Sequence, residues 1–128
     1  GLIHWRNVSE IRLDEAISAI IADVPTDAVW ITIDKDVLPE SEALTNWDQG
    51  HMPLDAVLRF VRALAGARRL IGADICGEYA PPAHANPFKR IEARIDQPRR
   101  DAITAANLAA NERVNVALLG ALAGAPAC

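Results

Sequence analysis

Apolar residues along this chain fall into two patterns, one helical and one continuous. In "RLDEAISAIIADV", Leu13, Ile17, Ile20 or Ile21, and Val24 recur at three- and four-residue steps, with Asp14 and Glu15 near the start, where a helix dipole favours them. A second stripe is formed by Leu54, Val57, Leu58, Val61, Leu64 and Ala65. Pro53 suits its first turn and Gly66 its stop. The third helical stretch runs from Pro98 to about Gly124, with Ile103, Ala106, Ala110, Val114, Leu118 and Ala121 as its predicted inner face. Between the helices lie two apolar runs without alternation, "AVWITI" at 28–33 and "RLIGADI" at 69–75, which read as parallel strands covered on both faces. "GLIHW" is a candidate third strand.

Strand, helix, strand, helix in this order predicts right-handed crossovers and a three-layer α/β/α architecture around a parallel sheet. Three parallel strands with both edges open make an incomplete object, so the sheet is expected to pair its edges or to continue in further sequence. The proline-rich segment from Tyr79 to Pro98 is expected to be a long surface excursion.

Composition narrows the class. The chain has 128 residues, half of them hydrophobic, and a net charge of -4, enough for one domain with a core. Mild acidity without a basic block argues against a nucleic-acid partner. No apolar run reaches membrane-spanning length and no signal peptide is evident, so no membrane partner and a cytoplasmic address are expected. Cys76 and Cys128 form no disulfide framework; Cys76 is expected to be a buried, reduced thiol.

Candidate chemistry sits at the strand ends. The first strand runs into Asp34 and Asp36, two residues apart and therefore on one side of a regular strand, at the carboxyl edge where open α/β sheets build sites. Adjacent carboxylates oppose each other's ionisation, and a divalent cation removes that penalty. Lys35 points the other way. The second strand also ends in acids, Asp74 and Glu78, so neighbouring strands would crowd four carboxylates on one rim. Asp74 is equally a candidate for a structural role, bonding backbone amides at the strand end.

These residues resemble the ureohydrolases (arginase, agmatinase and formimidoylglutamase), whose C-terminal part carries a strand ending S-F-D-x-D-x-x-D-P. A helix follows, then a strand ending D-x-x-E-x-x-P and a long helix. Here the chain reads "TIDKDVLP", "NWDQGHMPLDAVLRFVRAL", "RLIGADICGEYAPP" and then the last helix, in the same order. The resemblance implies an arginase-like fold of which residues 1–128 are the C-terminal portion. It also implies two Mn²⁺ ions in the complete protein, held in part by Asp34 as bridging ligand and Asp36 as ligand of the second ion. Glu78 would hold a guanidino-type substrate. The reaction implied is hydrolysis of a guanidino or amidine C–N bond by a water activated between the metals, in a homo-oligomer.

The chain departs from that pattern in definite ways. The third aspartate is absent, Asp74 and Glu78 are four apart rather than three, and "TNWDQG" replaces the usual Gly-rich stretch. The upstream G-G-D-H-S and D-A-H-x-D motifs do not occur, so this chain alone is expected to be inactive and to retain no manganese. His51 and His84 read as loop residues rather than ligands. Asn107, Asn111 and Asn115, at four-residue steps, read as a solvated face; Trp5, Trp30 and Trp47 read as packing residues, Trp47 with the option of lining a substrate pocket. Two alternatives compete: a non-catalytic binding module derived from this fold, and a receiver-type Mg²⁺-binding signalling domain, which lacks support because its acidic pair and late lysine-proline are missing.

Overall fold

The computed structural model describes residues 12–79, 86–96 and 103–124. The candidate strand "GLIHW", His4, Trp5, His84, the start expected at Pro98 and Cys128 lie outside them. Among the described residues the chain is mixed α/β, with four helices and a two-stranded parallel sheet. The order is α1 (Leu13–Asp23), β1 (Ala28–Asp34), a 3-10 turn (Lys35–Val37), α2 (Leu54–Ala67), β2 (Arg69–Cys76), α3 (Pro87–Asp96) and α4 (Ala105–Ala123). No helix is long and apolar enough to cross a membrane among these residues.

The periodicity of α2 sets the centre of the molecule. Val57, Val61 and Leu64 bury the predicted stripe against Ile31 and Ile33 of β1 and against Val114, Leu118 and Ala121 of α4. Leu54 and Leu58 lie at the margin of that core, partly buried. The α2 start is capped from a distance: Glu42 accepts the Leu54 N–H at 2.6 Å, placing a carboxylate at the positive end of the helix. α1 packs on α2 through Leu13 and Ile17, and the Arg59 guanidinium reaches Asp14 across that contact. A capping box formed by Thr104 and Asn107 starts α4.

The strands do not have the burial predicted for them. β1 alternates, with Ile31 and Ile33 buried and Trp30, Thr32 and Asp34 exposed. β2 likewise exposes Ile71, Asp74 and Cys76. The reason is that α2 and α4 lie on one face, and no described helix covers the other. Trp30, 59% exposed, solves its own packing on that open face. A register shift after Val29 skips Ile71 and sets Trp30 opposite Gly72. Any Cβ on that glycine would run into the indole ring, so the tryptophan lies over a bare backbone.

Two further expectations change. Part of the excursion after Tyr79 is helical, since Pro87 starts α3 and suits a first-turn position. Its Phe88, Ile91 and Ile95 are exposed while Ala93 is buried. On α4 the buried face is Asn111, Val114, Leu118 and Ala121, whereas Ala106 is exposed. Leu108, Val116 and Leu119 are also exposed, so α4 is apolar on more than its core side.

Candidate functional site

The parallel register brings both strand ends to one rim, with Asp34 opposite Cys76. After Asp34 the chain tightens into the 3-10 turn, and Asp34 caps it by accepting the Asp36 N–H at 3.1 Å. Asp36 therefore follows Asp34 around a turn rather than along an extended strand. One of its oxygens, Oδ1, is buried with no hydrogen-bond partner among the described residues. Gly77 passes directly beneath this turn at φ 76°, with its Cβ position 2.9 Å from Lys35 N and in collision with Asp34 Oδ1. A side chain there would meet both a disfavoured backbone region and an occupied space. Beside Asp34 opens an apolar cavity of 270 Å³, whose walls include Ile20, Ile33, Met52, Val57 and Phe60.

Asp74 stands on the open face, where it accepts hydrogen bonds from Trp30 Nε1 at 2.7 Å and Thr32 Oγ1 at 3.1 Å. Its partners are side chains across the sheet rather than the backbone amides expected. Cys76, expected to be buried, is exposed on the same face. Desolvation, then the charges of Asp34, Asp74 and Asp36, hold its thiol above the ordinary cysteine range. That direction disfavours the thiolate, the nucleophilic form.

Glu78 turns the opposite way from Cys76, toward α4, and there it meets Lys35. The alternation that buries Ile31 and Ile33 also buries Lys35, whose ammonium pairs with Glu78 Oε2 and donates to Asn115 Oδ1 at 2.9 Å. Asn115 Nδ2 donates to the same Glu78 oxygen at 3.1 Å, and Asn111 Nδ2 donates to Oε1 at 2.8 Å. Asn111 is itself buried and brackets Leu44, accepting its N–H at 2.7 Å and donating to its carbonyl at 2.8 Å. The asparagine face read as solvated is thus, at Asn111 and Asn115, the inner wall of a polar cluster. Sequence reasoning missed Lys35 and Asn111 as members, although parity with Ile31 and Ile33 and spacing with Val114 and Leu118 both point inward.

Burial alone would raise the Glu78 carboxyl. The hydrogen bonds from Lys35, Asn115 and Asn111, with the Lys35 charge, outweigh it and leave the group below the ordinary glutamate range. A lowered folded value means stability that is complete above the ordinary glutamate range and lost as pH falls through the lowered value. Urea midpoints measured from neutral pH downward should fall more steeply for the wild type than for Glu78→Gln. Parallel profiles would show that the cluster does not carry this linkage.

The described residues contain no group of three or more His, Cys, Asp or Glu side chains able to hold a metal ion. Asp34 and Asp36 amount to two hard oxygen donors, a partial ligand set. His51 lies in the loop before α2 and is exposed. Trp47, 45% exposed, sits in the loop after the 3-10 turn and does not wall the cavity beside Asp34.

No family model matches the chain. A stretch of 53 residues, 41% of the chain, is 42% identical to an uncharacterized protein of Thermotoga maritima. That stretch covers 21% of the Thermotoga protein, so the chain matches about a fifth of its length.

Proposed function

We propose that this chain contributes the Asp34–Asp36 half of a two-manganese site in a cytoplasmic ureohydrolase-type enzyme that cleaves the C–N bond of a linear amidine. The observation that carries this reading is the turn after β1. It carries Asp34 and Asp36 around a tight turn at the carboxyl rim of a parallel sheet and leaves Asp36 Oδ1 buried without a donor among the described residues. An ionised oxygen in that state is costly unless a cation completes it. Asp34, the better exposed of the two, would bridge, and Asp36 would hold the second ion. Manganese, when bound, would supply Lewis acidity and an activated water at neutral pH.

The chain's own residues prepare that place. Gly77, just past β2, leaves room for the turn to pass, the Asp36 N–H fixes the Asp34 carboxylate, and the adjoining cavity offers apolar space beside it. In the complete protein the sheet would continue beyond β1 and a second helical layer would cover Trp30 and Ile71, giving the three-layer arginase-like arrangement. The exposed apolar residues of α3 and α4 favour a homo-oligomer in the same way.

In the complete protein, Asp34→Ala and Asp36→Ala are expected to lose manganese measured by elemental analysis after gel filtration, whereas Glu78→Gln keeps it. Equal manganese content in all three variants would end this reading. The 128-residue chain alone is expected to release no urea from guanidino compounds.

A further inference from the structure

Among the described residues, the Glu78 carboxylate is the one acid of the rim held by an internal cation, and its hydrogen-bonding capacity is nearly used. An ionised carboxylate offers about four lone-pair sites, two on each oxygen. Oε2 takes Lys35 and Asn115, which fills it. Oε1 takes Asn111 and keeps one site. A guanidinium binds a carboxylate strongly through two parallel N–H bonds, one to each oxygen. That fork has no second seat here, although the Glu78 side chain is 51% exposed and can be reached from solvent.

We propose that Lys35 is a specificity-determining residue that closes Glu78 to guanidinium cations, so that a ligand approaching this rim obtains at most one hydrogen bond, at Oε1. Lys35 is well placed for the task. Its side chain is only 1% exposed, it lies on the covered face with Ile31 and Ile33, and Asn115 fixes its ammonium from the second side. Its charge already neutralises the carboxylate, so an arriving cation would meet an ion pair rather than a free anion. For turnover, this inference rests on the two-metal reading and narrows it: the substrate is one whose reacting group does not depend on a two-pronged cation contact at Glu78.

The test separates the two ideas by reading binding without metal. The probe is methylguanidinium chloride, titrated into the 128-residue chain with the Glu78 side-chain carboxyl followed by carbon NMR. The wild type is expected to show no saturable shift up to tens of millimolar. Lys35→Met, which keeps the apolar stem, is expected to bind the probe about tenfold more tightly or better. A saturable Glu78 shift in the wild type would overturn the inference, and this arm stands even if the variant fails to fold. A folded Lys35→Met that still ignores the probe would also overturn it. Loss of the two-metal reading would appear separately, as unchanged manganese content in Asp34→Ala and Asp36→Ala of the complete protein.

Discussion

Glu78→Ala is expected to destabilise the protein by about 3 kcal/mol, the low end of what is seen when one member of a buried ion pair is removed. The substitution leaves the Lys35 ammonium inside the fold with Asn115 as its remaining partner from the cluster. The low end applies because the Glu78 side lies half open to solvent, so water can reach part of the vacated space. Lys35→Met should cost far less, since the exposed half of Glu78 can be hydrated and the apolar stem is retained. Urea unfolding of the two variants and the double variant would give the asymmetry directly. Equal losses in both single variants would mean that the lysine is not the member that depends on the pair.

The second large effect is expected at Asn111. Asn111→Leu keeps the volume but strips the buried Leu44 N–H and C=O of their partners together and removes the donor to Glu78 Oε1. Two orphaned backbone groups at about 1–3 kcal/mol each give an expected loss of roughly 2–6 kcal/mol. Asn107→Ala, which removes the return half of the capping box and leaves the Asn107 N–H on Thr104 Oγ1, should cost about 1 kcal/mol or less. If the two asparagines proved equivalent in unfolding experiments, the bracket around Leu44 would carry no special weight.

How far the sequence could be read follows from what each residue depends on. α1, α2 and the two strands were legible because their signals are local, a stripe or an apolar run that any neighbour would satisfy. The open face was not. Trp30 and Ile71 look like core residues in sequence, and only the one-sided placement of α2 and α4 shows otherwise. α3 was hidden by its prolines, although Pro87 begins the helix and Phe88, Ile91 and Ile95 keep helical spacing. At the rim, spacing announced two acids at the end of β1 but not the 3-10 turn that carries Asp36 around it. The engagement of Glu78 by Lys35 was not legible either, because it joins the ends of two strands 43 residues apart through a 3-10 turn that no local pattern announces.

That polar cluster also has a place in time. Lys35 and Asn115 are 80 residues apart in the chain, and Leu44 and Asn111 are 67 apart. Contacts of such separation wait for a large loop to close, at an entropic cost that local helices do not meet. α1 and α2 can form from near neighbours, and β1 with β2 needs only the α2 crossover between them. The seal between the β1 turn and α4 is therefore expected to close late in folding and to open early in unfolding. In that order of events the cluster would act as a latch on the lifetime of the native state rather than as a nucleus for reaching it.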